Sequence, residues 1–488
     1  MNRPGNRLVV VSNRVPAPSA AGAQVGGLAV ALQSLMQQRG GLWFGWSGKI
    51  SDSTSLRMIE DGAVRYATTD LTAEEHDGFY NEFSNATLWP LLHSMPELMT
   101  YDRRNAQVYR EVNDRFADKL TPLLREGDMI WVHDYHLCAL PAGLRSRGAT
   151  GPIGFFLHIP FPGPDLLAKV PEATNLVRDL LAADLIGFQT ENDARNFADA
   201  AVRLAGAEPA GGSFVLVAGR RVRIGAFPVG IEPQEFADTA HNAWEGASAQ
   251  RLRRSLSGQA LVLGVDRLDP TKGLMQRFSG FRRLLERSPD WRRRVTLLQI
   301  AAESRTDVAA YRDLRQAMEQ EAGNINSGYA EPDWTPLRLI ARAVPRDTIA
   351  GYMREARVGL VTPLRDGMNL VAKEYIAAQN PENPGVLILS RFAGAAEQLT
   401  SALLVNPYDA DELADSLEQA LTMDLAERQD RWQQSWGAIK DSSAVGWGRT
   451  FVAGLLRTTA PKRAMSGGEP ATPHAGRESF ASGVVRHL

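Results

Sequence analysis

Short apolar runs alternate along this chain with longer stretches in which apolar residues return every three to four positions. The runs at 8–11, 129–132, 153–157, 185–188 and 222–226 read as strands, and stretches such as 106–124 read as helices between them. That alternation predicts a parallel sheet covered by helices on both faces. The segment Phe227-Pro-Val-Gly-Ile-Glu-Pro233 interrupts the series, because its prolines and glycine stop a strand and leave a short hinge. A second series follows at 261–265, 296–300, 358–361 and 386–389. The pattern therefore predicts an α/β protein with two Rossmann-like, doubly wound domains, residues 1–230 and 231–440. A helix at 411–423 belongs to the second domain, and a final helix falls within 441–460. From 461 to 488, Gly, Ser, Pro, Ala and charges replace any periodicity, which reads as a disordered tail.

Composition narrows the class without choosing a function. With 488 residues, 44% apolar, 23% charged and a net charge of -2, the chain reads as a soluble two-domain protein. Its balanced charge argues for no nucleic acid and no membrane partner. The apolar run after Arg7 is too short for an export signal and no run approaches a membrane span, so the cytoplasmic location is the default. The single cysteine, Cys138, excludes an internal disulfide and a cysteine-based zinc cluster, and reads as a small buried residue.

The chemistry concentrates where strands end. After the run 358–361, Pro363 and Gly367 lead into a helix expected to start near Gly367, with Asp366 just before it and Glu374 two turns inside. Unpaired N–H groups at a helix start favour phosphate, and carboxylates accept from sugar hydroxyls; the mixture suits a nucleotide-sugar. Arg267 and Lys272, five residues apart in Gly264-Val-Asp-Arg-Leu-Asp-Pro-Thr-Lys-Gly273, form an anion clamp at another strand end. A third strand ends in Arg14, and its loop leads to Gly26-Gly27 and an apolar-periodic stretch at 28–36. His133 and His136 invite a metal, but in an extended segment they face opposite ways and no third ligand is near in sequence, so no metal and no cofactor are expected. Trp43 and Trp46 read as core.

Nine segments in register, VVVSNR, GGLAVAL, GGLWFGWSG, NEFSNATLWP, IWVHDYHL, GFFLHIPFP, GFQTEND, DRLDPTKG and TPLRDGMNLVAKEY, resemble glycosyltransferase family 20, the retaining trehalose-6-phosphate synthases, from about residue 7 to 456. The resemblance implies the GT-B architecture, with an active-site cleft between the domains and the final helix crossing back to the first. It implies UDP-glucose as donor, with GDP- or ADP-glucose left open, and glucose 6-phosphate as acceptor. On the donor side it implies Arg267 and Lys272 on the diphosphate, Asp366 and His158 on the glucose, and Glu374 on the ribose. Gly26 and Gly27 would close over the donor, Val344 would lie by the base, and the segment Leu370, Val371, Ala372, Lys373 would cap the phosphates. On the acceptor side it implies Arg14, Tyr80 and Arg305 on the phosphate, Asp134 on hydroxyls and Trp89 as a wall. The catalytic set is then Arg267, Lys272, His158 and Asp366, with His158 supporting the sugar and not abstracting a proton.

No carboxylate pair is placed for double displacement, so a front-face transfer is expected, metal-independent, in which the leaving phosphate takes the acceptor's proton. Two rival readings share the fold: a glucosylglycerol-phosphate synthase and a non-catalytic sugar-phosphate sensor. The matches at Arg14, Tyr80, Trp89 and Asp134 weigh against the first, and retention of Arg267, Lys272 and Glu374 against the second. An appended phosphatase domain is not expected, so a separate phosphatase is expected downstream, and a homo-oligomer stays open. Pro270-Thr271 and Thr306 depart from the commoner pattern.

Overall fold

The computed structural model describes residues 7–16, 27–305 and 308–458, the side chains of 27–31 and 34 excepted. Gly26, Thr306 and the tail from 461 lie outside the described residues. Ten strands form the first sheet: β1 (Leu8–Arg14), β2 (Gly41–Ile50), β3 (Arg57–Asp61), β4 (Val64–Leu71), β5 (Met129–His133), β6 (Ile153–Phe156), β7 (Leu185–Phe188), β8 (Glu208–Pro209), β9 (Phe214–Val217) and β10 (Arg220–Ala226). Their order is β3-β4-β2-β1-β5-β6-β7-β10-β9-β8. Pairing is parallel from β4 to β10 and antiparallel only at the two ends.

The second sheet holds β11 (Ala260–Arg267), β12 (Val295–Ala302), β13 (Leu337–Ile340), β14 (Val358–Val361), β15 (Val386–Ser390) and β16 (Leu403–Val405). Its order is β13-β12-β11-β14-β15-β16, parallel throughout. Two parallel-sheet domains are thus present, as the hydrophobic pattern and the GT-B resemblance both lead one to expect.

Several strands escape the pattern. β2 carries three glycines, which read as turns, yet Gly45 is needed inside the strand: a Cβ there would lie 2.0 Å from the Ser12 carbonyl. β4 mixes Thr and Asp among its apolar residues, and β13 and β16 are short edge strands. The helix expected from Gly367 begins instead at Leu370, because Asn369 takes a left-handed φ of 77° and its side chain caps the Ala372 N–H. Glu374 is therefore about one turn inside, not two.

The helix Ala444–Thr458 lies on the first sheet. Trp447 packs 5.0 Å from Trp131, and Phe451 stacks on Trp131 at 4.6 Å. Phe451 fits because Gly154 and Gly187 have no Cβ; one there would come within 2.7 and 2.6 Å of its ring.

Candidate active site

The strands of both sheets release their functional residues at the mouth of the cleft. On the second sheet, β11 ends in Arg267, and Asp269 then caps a short turn, accepting from the Thr271 N–H at 3.0 Å and the Thr271 hydroxyl at 2.8 Å. Pro270 and Thr271 build this turn, and the Thr271 carbonyl accepts from Leu364 N–H at 2.7 Å. The two loops that follow β11 and β14 are thereby tied together. Lys272 reaches across them to Asp366 at 2.5 Å. Burial alone would raise the Asp366 carboxyl, but Lys272 outweighs it and holds the group below its usual range.

Beneath the loops, Asp266 points into the fold and pairs with the buried Arg277 at 2.6 Å; Arg277 also donates to Gln299 at 2.7 Å and Thr362 at 3.1 Å. Asp266 is thus a foundation of the loop and not a ligand. At the helix Leu370–Ala378, the Ala372 N–H is taken by its cap, which leaves those of Leu370 and Val371 as the free donors of the first turn. The Lys373 side chain turns away: it is buried, donates to the Val229 carbonyl at 2.7 Å, and is pushed by burial down to about 7. The Lys373 side chain and the Ala372 N–H are thus both engaged within the fold. Glu374 pairs with Arg346 at 2.9 Å, while burial raises its carboxyl. Val344 is half-buried against the same core. Gly27 opens the helix Gly27–Arg39.

Across the cleft, β5 ends in His133, followed by Asp134 at a left-handed φ of 74° and a tight turn carrying Tyr135 and His136. Asp134 is half-buried, and its loss of solvent raises its carboxyl to about 6, although it accepts from the His158 N–H at 3.3 Å. His158 follows β6; burial lowers it to about 3, so the ring is neutral, and its Nε2 shares a hydrogen bond with His133 Nδ1 at 3.1 Å. His133 is thus engaged with a second ring and not with His136. Trp447 closes against both, 6.3 Å from His133 and 5.7 Å from His158.

Trp89 is the meeting point. Arg305, itself at a φ of 48°, lays its guanidinium 3.8 Å from the Trp89 ring centroid, and Arg267 lies 5.8 Å from it. Arg305 also donates to Tyr135 Oη at 3.1 Å and to Tyr311 Oη, and sits 3.7 Å from Asp269. Burial would lower Arg305, but Tyr135, Tyr311 and Asp269 together raise it. Asp269 is fully buried, and Arg305, Arg267 and Lys272 overcome that burial to hold it at about 2.

Tyr80 stacks on His136 at 5.7 Å, with Trp46 behind it at the same distance. Trp43 is core, its indole N–H donating to Ser12 Oγ at 2.8 Å. Arg14 stands apart from this cluster, its guanidinium lying over Gly48, where a Cβ would be 2.6 Å from Nε. Besides Arg305 to Tyr135, two further contacts cross between the domains' loops: Arg365 to Asp193 at 3.4 Å, and Gly367 against the His158 carbonyl, which a Cβ would approach to 2.2 Å.

Sequence reasoning missed Asp269, Tyr135 and Tyr311, and considered His133 only as a metal ligand and not as the partner of His158. Asp269 carried a signal, since Asp before Pro marks a capped turn; Tyr311, on a helix six residues past Arg305, carried none.

The family profile described as glycosyltransferase family 20 matches residues 6–457. A trehalose-6-phosphate synthase of Enterobacter sp. (strain 638) is 44% identical over 454 residues, 93% of this chain and 96% of that protein. An α,α-trehalose-phosphate synthase (UDP-forming) from Burkholderia xenovorans, solved in complex with glucose-6-phosphate, superposes with a TM-score of 0.88 at 46% identity, covering 92% of this chain and 100% of that one. A structure from E. coli bound with UDP-2-fluoro glucose gives a TM-score of 0.88 at 43% identity over 93% of this chain and 99% of that one. With the cleft, its paired cations and a match over nearly its whole described length, the chain belongs to glycosyltransferase family 20.

Proposed function

We propose that this protein transfers glucose from UDP-glucose to glucose 6-phosphate with retention, giving α,α-trehalose 6-phosphate and UDP. The observation that carries this reading is the convergence of Arg267, from the donor loop, and Arg305 on one indole, Trp89, within 5.8 and 3.8 Å. Two fixed cations at such a spacing suit two anionic groups brought side by side, a departing diphosphate and an acceptor phosphate. The similarity to structures holding glucose-6-phosphate and a UDP-glucose analogue supports the same pair of substrates.

Residues 231–440 would form the nucleotide-sugar domain and 1–230 the acceptor domain, with 441–460 crossing back. In the donor half, Arg267 and Lys272 hold the diphosphate with the free N–H groups of Leu370 and Val371; Asp366 reads glucose hydroxyls and Glu374 the ribose. His158, neutral at any working pH, hydrogen-bonds the glucose and carries no proton away. In the acceptor half, Arg305, Arg14 and Tyr80 grip the phosphate, Asp134 accepts from hydroxyls, and Trp89 walls the sugar. The leaving β-phosphate oxygen takes the proton of the incoming anomeric hydroxyl on the same face while the C1–O bond to the diphosphate breaks.

The product carries a phosphate monoester that a separate phosphatase would remove. We place the reaction in the cytoplasm; no described helix is long and apolar enough to cross a membrane. The test is release of UDP from UDP-glucose with and without glucose 6-phosphate, repeated with Arg305→Ala. Release that needs the acceptor and falls about 100-fold in kcat/KM for glucose 6-phosphate is expected from loss of a charged, two-pronged contact. Release with glycerol 3-phosphate instead would reassign the acceptor.

A further inference from the structure

A second cavity, of about 450 Å³, opens between the domains beside Trp89. Arg267, Arg305, Asp134 and His158 do not line it. One wall is an unusual element, the thirteen-residue π-helix His76–Leu88, continued by the bond from the Trp89 N–H to the Ser84 carbonyl. Hydrogen bonds that span five residues bring side chains four or five apart onto one face. That face here is Asp77, Asn81, Glu82 and Asn85. A π-helix forfeits better hydrogen-bond geometry, so a long one that presents an amide and carboxylate stripe to a cavity points to a ligand.

The opposite wall comes from the second domain, with Thr271 and Tyr311, and the indole of Trp89 closes the inner side. Two lining side chains keep a buried donor without an acceptor among the described residues: Asn85 Nδ2 and Trp89 Nε1. Asn85 is 3% exposed and Trp89 7%. An unmade buried hydrogen bond is costly, and a ligand oxygen would relieve it.

We infer that this cavity is a regulatory site for an uncharged sugar. Amides and carboxylates accept and donate to vicinal hydroxyls, while aromatic rings take the apolar face of a pyranose. The three carboxylates of Asp77, Glu82 and Asp313 outnumber the one lining cation among the described residues, Arg312, and disfavour a phosphorylated sugar. The volume exceeds what one pyranose needs, so a disaccharide is the fitting size. Such a ligand touches both domains and the Thr271 turn, so it biases their approach and, through Lys272, the donor loop.

The test is tryptophan fluorescence of the full chain with UDP and glucose 6-phosphate both saturating, so that the transfer site is filled except for the donor-glucose pocket, which the cavity variants below leave untouched. Into this mixture α,α-trehalose, maltose or glucose is titrated. A saturable change with a disaccharide is expected, weakened at least tenfold in Asn81→Leu and in Glu82→Leu, with the kcat of both variants unchanged when no sugar is added. Absence of a saturable change with all three sugars overturns the proposal, as does unchanged binding in both variants. Failure of the transfer reaction itself would show separately, in UDP release without added sugar.

Discussion

The two halves of the cleft are built in opposite ways. The donor half comes from two contiguous loops of one sheet, 264–273 and 362–374, tied to each other by the Leu364 to Thr271 hydrogen bond and the Lys272–Asp366 pair. The acceptor half is gathered from distant places: Tyr80 on a π-helix, Trp89 at its end, Asp134 after β5, and Arg305 from the other domain. A contiguous loop can be rigid on its own, whereas a gathered site exists only when the domains approach. On the proposed assignment, transition-state charge falls to the half made of contiguous loops and acceptor selection to the half gathered from both domains.

Breaking the rigid half should cost most. Lys272→Ala removes the cation nearest Asp366 and is expected to lower kcat about 1000-fold with little change in the acceptor KM, measured by UDP release. A large rise in acceptor KM alone would erase the proposed division of labour. Asp269→Asn blurs the division, because Asp269 faces Arg305 on one side and caps the Lys272 turn on the other. Asn retains the cap, so the fold should stand, and both substrates' KM values should rise about tenfold.

A smaller effect distinguishes the halves by pH. Asp134, held at about 6 by burial, protonates as pH falls and loses its capacity to accept from hydroxyls. kcat/KM for glucose 6-phosphate should drop about tenfold per unit below pH 6, and Asp134→Asn should abolish the dependence that belongs to this carboxyl while lowering the plateau. His158, already neutral there, should contribute nothing to the profile.

The last effect lies outside both halves and bears on stability, not on turnover. Lys373 sits at about 7 in the fold but takes its ordinary value when unfolded, so between these values the unfolded chain binds the extra proton. Stability should rise as pH climbs from about 7 toward 10, and Lys373→Met should flatten that rise in chemical denaturation.

The same contrast decided what could be read from the chain. β11 opens with the apolar run 260–263 ahead of Gly264, and β14 is apolar up to Thr362-Pro363, so the loops that follow them could be placed at once. β2 hides its burial behind glycines that let Ser12 approach, and the start of the helix after Gly367 slipped three residues because an Asn in a left-handed conformation leaves no periodic mark. Tyr135 and Tyr311 matter only through a guanidinium that arrives from elsewhere in the chain, and local pattern does not report such meetings. Lys373 looked like part of the donor loop because it follows the capping N–H groups, yet helical geometry turns its side chain toward Val229.

The seat of Phe451 and Trp447 on the first sheet has a further consequence for how this molecule comes into being. The hollow at Gly154 and Gly187, and the face of the His133–His158 couple, are closed by side chains that follow both sheets in the order of synthesis. A nascent chain that has completed both sheets still lacks this support, and Trp131 and the His133–His158 couple stay uncovered until Trp447 and Phe451 arrive.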